Sequence, residues 1–263
     1  MHSLSGSEEP RCGPIGTKHA ALFRVRHTRE VTFSFKVIDL TAVLSPTTVL
    51  WPGQDPISAI TTEEIQSDGA YGRRVSLGEH SGTHFDAPCH FSEGAAAVAD
   101  VPAEQLVRPL RVIDISERAE QDPDAELTMA DIEAHELGHG AIPEGSAVFL
   151  RTGWDSRRDD RDAYAGSGDE LHFPGFGVEA AHFLVDERSI AGLGIDTLSI
   201  DPGGTNDFAV HRDVTLPRGV WHVENAINLD AVPSTGAWVV VGVPRLADAS
   251  GFPARVLALV PNP

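Results

Sequence analysis

The chain has 263 residues, 41% of them hydrophobic, enough for one large α/β domain with a sizeable core. Its formal net charge of −19 argues against nucleic-acid backbones and anionic membranes as partners. Two cysteines, Cys12 and Cys89, give no disulfide framework, and no apolar run approaches the roughly 20 residues that cross a bilayer, so a soluble cytoplasmic protein is expected.

Residues 1–35, rich in Gly, Pro, Ser and scattered basic groups, read as a flexible extension ahead of a single domain over 36–263. Val37 to Leu40 reads as a short strand, followed by a Ser45-Pro46 turn and a rigid loop from Trp51 to Pro56. Arg74 to His80 alternates in part between apolar and polar residues. Leu110 to Ile115 is a strand. Thr128 to Leu137 is a helix, opened by a capping-box-like Thr128/Asp131 pair and ended by Gly138. Ala147 to Thr152 is a buried strand, and the charged stretch 155–170 is a loop. Val178 to Ile190 has the spacing of an amphipathic helix. Strands follow at Leu193 to Ile195, Trp238 to Val243 and Val256 to Val260. Strands outnumber helices and do not alternate simply with them, which points to an α/β domain with mixed sheets flanked by helices.

The densest chemistry lies in His80-Ser-Gly-Thr-His84-Phe-Asp86-Ala-Pro-Cys-His90. Gly82 and Pro88 argue against a helix here. In an extended backbone the even-numbered residues 80, 84, 86 and 90 can share one face. Three imidazoles and a carboxylate on one face suit a divalent cation such as zinc or manganese; the plainer alternative is a set of polar residues on a solvated edge. A second concentration of ligand-type residues runs through Asp196 and Asp201, then from His211 to His222, Glu224 and Asn225. Asp196 and Asp201 either orient histidines or cap a strand-to-loop turn.

These segments resemble the metal-dependent cyclase-like hydrolases, the family that contains bacterial kynurenine formamidase and isatin hydrolase. Residues 80–90 match every fixed position of the signature His-x-Gly-Thr-His-x-Asp-x-Pro-x-His. Gly194-Ile-Asp196-Thr-Leu-Ser199-Ile-Asp201 matches a downstream Gly-x-Asp-x-x-Ser-x-Asp pattern, and His211 and Glu224-Asn225 match the late His and Glu-Asn pair. The resemblance covers about residues 37–260. It implies a swivelling β/β/α-type single domain. It further implies His80, His84 and Asp86 as primary metal ligands and His90 as a proton-transfer residue beside the metal. His211 and Glu224 would complete a second metal position, as in the formamidase branch, whereas a single manganese is the rule in the isatin branch. Glu224 could also share the proton work. The interval between His211 and Glu224 is about one residue longer than in the formamidases, and Arg212 stands where a second histidine is common. The stretch Phe173 to Glu179 and the tail Ala226 to Leu229 look closer to isatin hydrolase.

Such a site fits hydrolysis of a C–N bond in a small amide, arylformamide or cyclic amide by metal-activated water. The same parts fit a lactonase or a biosynthetic cyclase, and a catalytically silent metal-binding protein is the alternative of another class. Trp51 and Phe91 are candidates for an apolar wall that accepts an aromatic ring. The family resemblance also implies a homodimer or homotetramer. His135-Glu-Leu-Gly-His139 matches the zinc-protease pattern His-Glu-x-x-His, but Gly138, Gly140 and Pro143 end the helix that the pattern requires. Cys89 beside His90 reads as a small buried residue.

Overall fold

A computed structural model describes residues 23–25, 31–167 and 170–262. Cys12 and most of the N-terminal extension lie outside the described residues. Within the extension, Phe23–Val25 pairs antiparallel with Val31–Phe33, so regular structure begins earlier than its composition suggests.

The core is a nine-stranded mixed sheet. Its strands are β1 (Phe35–Asp39), β2 (His84–Asp86), β3 (Val107–Asp114), β4 (Ala147–Arg151), β5 (Gly192–Ile195), β6 (Trp221–Glu224), β7 (Ala237–Gly242), β8 (Gly251–Pro253) and β9 (Arg255–Pro261). Across the sheet they run β8-β2-β6-β5-β4-β3-β7-β9-β1. A parallel block, β3 to β6, sits in the middle, and every outer pairing is antiparallel. The fold is the expected α/β domain with a mixed sheet and flanking helices.

Two cores cover the two faces, and strand alternation sorts side chains between them. Val148 and Leu150 of β4 join Leu193 and Ile195 on one face; Ala147 and Phe149 join Val112 and Val239 on the other. The same rule sets up the site. Phe85, Trp221 and Val223 belong to the second core, so His84, Asp86, His222 and Glu224 project from the opposite face of β2 and β6. Glycines let this end of the sheet close up. A Cβ on Gly192 would stand 2.4 Å from the Trp221 ring, and one on Gly251 would stand 2.5 Å from His80.

Several local expectations need correction. The helix from Met129 continues to His139, because the left-handed residue that stops it is Gly140 rather than Gly138. Its capping box forms as expected, with Thr128 Oγ1 accepting from the Asp131 amide. The charged segment 155–170 contains a short helix, Arg161–Ala165, capped by Asp160. The helix predicted from Val178 is α-helical to His182 and continues as a π-turn to Glu187. Strand β6 and the hairpin of Ser58–Glu63 with Gly72–Ser76 carry no strong local pattern and emerge only through pairing.

Candidate metal centre

Strands β2 and β6 run antiparallel, with His222 opposite Asp86 and Glu224 opposite His84. Only His84 and Asp86 occupy the strand that the even-numbered row suggests. His80 arrives on the preceding loop, where Gly82 takes φ +60°, and His90 sits in a 3-10 turn, Pro88–His90. The row still converges, by a turn on each side of a short strand. A Cβ on Gly82 would also meet Leu44 Cδ2 at 2.2 Å, which that side chain would have to vacate, while the positive φ itself favours glycine there.

His84, Asp86, His211, His222 and Glu224 are all buried. His84 Nε2 lies 3.2 Å from Asp86 Oδ1 and 3.4 Å from Glu224 Oε2. His211 Nε2 lies 3.2 Å from Glu224 Oε1 and 3.6 Å from Asp86 Oδ2. His211 is delivered by the helical turn Val210–Thr215 and has no neighbour in the 80–90 motif by sequence. The ligand-type atoms of His80, His84 and Asp86 lie within 4.8 Å of one another, as do those of Asp86, His211 and His222.

Outward hydrogen bonds dispose of one ring nitrogen of each histidine. His84 Nδ1 is 2.8 Å from the Gly82 carbonyl, so it carries a proton and turns Nε2 toward the carboxylates. His211 Nδ1 donates to Asp201 Oδ2 at 2.5 Å, leaving Nε2 directed inward. Asp201 also accepts the backbone N–H groups of Val210 and His211. His80 Nε2 is 2.9 Å from the Ser250 hydroxyl, whose own hydrogen goes to Glu79, so this nitrogen is the donor. That turns His80 Nδ1 toward Asp86 Oδ1 at 2.6 Å. A lone pair and a carboxylate so close repel unless a proton or a cation lies between them.

His84 Nε2, Asp86 Oδ2 and His222 Nδ1 are buried without a hydrogen-bond partner. Leaving such groups unpaired costs about 1–3 kcal/mol each. Imidazole nitrogens and carboxylate oxygens converging in this way fit a divalent cation that displaces the protons between them. The carboxylate–histidine pairing of Asp201 with His211 is the outer support that metal-bound histidines ordinarily have.

The charges agree with a site built for a cation. Burial opposes charge on His84, but the Asp86 and Glu224 carboxylates outweigh it and raise its pKa to about 9. Burial likewise opposes ionisation of Asp86, yet His84, His211 and His80 hold it well below the usual carboxylate range. His90 behaves differently. Burial pushes it down to about 4, and the neighbouring imidazoles add to this, so it is neutral at pH 7. Its ring stacks on His80 at 3.9 Å between centroids, beside the cluster rather than in it.

The two acidic residues left open by the sequence part company. Asp201 orients His211, whereas Asp196 caps a turn, accepting from the Thr152 hydroxyl and the Thr152 and Gly153 amides. Arg212 is exposed and pairs with Asp213, so it adds nothing to the centre. His135 and His139 end a helix with ring centroids 5.0 Å apart, and among the described residues no third ligand joins them.

A cleft of about 690 Å³, open mouth included, lies over the cluster. Trp51, Phe91 and Phe208 line it, with Phe208 bridging the other two at 5.7 Å from each ring. Phe91 also packs 5.0 Å from the His211 ring. The sequence places His222 in a ligand-rich segment without giving it a role, and Phe208 escapes sequence reasoning. For His222 a signal existed: it sits two residues before Glu224 and therefore on the same face of a strand. Phe208 is a lone loop aromatic at φ +50°, with no local pattern to mark it.

The Cyclase family profile matches residues 38–202. Isatin hydrolase of Roseibium aggregatum is 34% identical over 252 residues, covering 86% of this chain and 92% of its own. Kynurenine formamidase of Bacillus cereus is 28% identical over 222 residues, covering 84% of this chain and 95% of its own. A crystal structure of an isatin hydrolase bound to the product analogue thioisatinate matches with a TM-score of 0.82 at 31% identity, covering 87% of this chain and 93% of that one.

Proposed function

The chain belongs to the cyclase family, and from that membership we propose that it is a metal-dependent hydrolase cleaving a C–N amide bond of a small aromatic substrate. A cyclic amide of the isatin type is the substrate class favoured, because the isatin hydrolase similarity exceeds the formamidase similarity, 34% against 28%. The observation that carries the reading is the set of histidines around Asp86, His80, His84 and His211, each with its outward nitrogen engaged and its inward nitrogen turned toward the carboxylates. In this reading His80, His84 and Asp86 hold a zinc or manganese ion, and His211 and Glu224 border it on the far side of Asp86. The bound cation supplies Lewis acidity and lowers the pKa of water.

His90 is the general base. Its neutral ring at pH 7 accepts a proton and returns it to the leaving nitrogen. Glu224, held by the Ile200 amide at 3.0 Å, has its other carboxylate oxygen facing His84 and can share that proton traffic. Trp51, Phe91 and Phe208 stack on an aromatic substrate and exclude water above the reacting carbonyl. We further assign the hydrolase domain to residues 36–263, after an N-terminal extension of residues 1–35. Exposed Ile60, Ile65, Tyr71 and Val75, on one hairpin and its connection, support a homodimer or homotetramer. Among the described residues no helix is long and apolar enough to cross a membrane, and we place the enzyme in the cytoplasm.

The test is metal analysis of the purified protein, combined with assays on isatin, formanilides and lactones. The expected result is a bound divalent metal, ring opening of isatin, loss of activity on chelation, and inactive His90→Ala protein that keeps its metal. Absence of divalent metal, with none taken up on addition, would end the reading.

A further inference from the structure

His222 has no role in the chemistry described so far, yet it is among the most deeply buried side chains of the centre, at 0% exposure. A core histidine that serves packing alone satisfies both ring nitrogens, and an apolar side chain of similar size would fill the space without the desolvation cost. His222 does neither. Its Nε2 lies 2.7 Å from the Thr215 hydroxyl, and that hydroxyl gives its only hydrogen to the Val210 carbonyl at 2.7 Å. The hydroxyl therefore accepts from the ring, so Nε2 carries the proton and Nδ1 is a bare lone pair. Nδ1 has no partner and faces Asp86 Oδ2, itself without one, at 3.8 Å. That distance is too long for a hydrogen bond, and two lone pairs could not make one.

It is slightly longer than the separation of two ligands of one ion. Atoms about 2.0–2.2 Å from a shared tetrahedral cation stand roughly 3.3–3.6 Å apart. His211 Nε2 is 3.6 Å from the same Asp86 oxygen, and its ring meets that of His222 edge-on at 4.6 Å between centroids. We propose that His222 is a metal ligand, forming with Asp86 and His211 a second cation position. The position adjoins the one built from His80, His84 and Asp86, and the two share Asp86, whose Oδ1 faces His80 and His84 while Oδ2 faces His211 and His222. Glu224 then borders both positions instead of completing one of them, with one oxygen tied to the Ile200 amide. The inference rests on the metal-dependent reading of the same centre.

The experiment is metal binding by the full chain after stripping with a chelator. Zinc and manganese are counted by equilibrium dialysis with elemental analysis, and cobalt(II) is followed by its visible absorption. Wild-type protein is expected to take up two equivalents per chain. His222→Leu is expected to take up one, with the affinity of the remaining position changed by less than a few-fold. Thr215→Val removes the hydroxyl that fixes the tautomer but leaves the imidazole in place. It is expected to bind two equivalents with the weaker one lowered about 10- to 100-fold, and it serves as the test should His222→Leu fail to fold. A single equivalent in wild type, or two unchanged equivalents in either variant, overturns the role of His222 and leaves the hydrolase reading standing. No uptake by wild type overturns both.

Discussion

Metal binding at this centre should be driven by exchange for protons, and the exchange can be counted. In the metal-free protein His84 has its pKa raised to about 9 by Asp86 and Glu224, which lie 3.2 and 3.4 Å from its Nε2. At pH 7 its inward nitrogen is therefore protonated in all but about 1% of molecules, and only the bare form can ligate. The proton now occupies the place that a cation would take between the ring and the carboxylates. Binding the first cation must expel that proton. Apparent affinity then rises about tenfold per pH unit below pH 9, on the order of 3 kcal/mol between pH 7 and pH 9. Asp86 contributes no proton, being held well below the usual carboxylate range. His211 is held well above the usual imidazole range, against its burial, by Asp201, Asp86 and Glu224, so a second cation should expel a second proton. Calorimetry at pH 7 in two buffers of different ionisation enthalpy measures the release directly. About one proton should leave with the first equivalent of zinc. Zero release, or an affinity flat between pH 6.5 and 8.5, would refute the charge arrangement argued for this site.

The same shift sets a stability trend in the metal-free protein. The folded pKa of His84 lies above its unfolded value of 6.5, so its stabilisation is complete below pH 6.5 and is lost as pH rises through 9. Calorimetric melting of stripped protein should show a loss of about 3 kcal/mol over that window, and a flat profile would contradict it. Steady-state kinetics of His90→Ala should show kcat lowered about 10²- to 10⁴-fold with metal content unchanged. Gly251→Ala sets a methyl group 2.5 Å from His80 Cε1 and 2.7 Å from the Phe85 carbonyl, so zinc affinity measured by competition with a chelating dye should fall. Trp51→Ala removes a wall of the cleft that packs on Phe208 and Phe173, and should raise KM for an aromatic substrate well beyond its effect on kcat.

What the sequence could and could not disclose follows from the reach of each interaction. Period-two alternation is local, so the shared face of His84 and Asp86 was legible from residue types alone, and so were most strands of the sheet. The same alternation unites His222 with Glu224, but what gives that pair meaning is its register against β2, more than 130 residues away in the chain. No local pattern encodes a register of that kind; it is fixed by Phe85, Val223 and Trp221 finding one core on the opposite face. Asp196 and Asp201 make the point from the other side. They share one segment and one residue type, yet one meets the amides of Thr152 and Gly153 and the other meets His211. Their roles were undecidable until strand β4 and the helical turn carrying His211 were brought beside them. The 80–90 row converges, but by a different geometry from the straight strand expected. Gly82 and the Pro88 turn bend the chain on both sides of a three-residue strand, so His80 and His90 reach the centre by curvature rather than by pleat. That curvature also separates their roles, since it points His80 Nδ1 at Asp86 and leaves His90 stacked behind it with a neutral ring. A straight strand would line all four groups up on one face. In the proposed mechanism, the bend is what frees one of them to handle a proton.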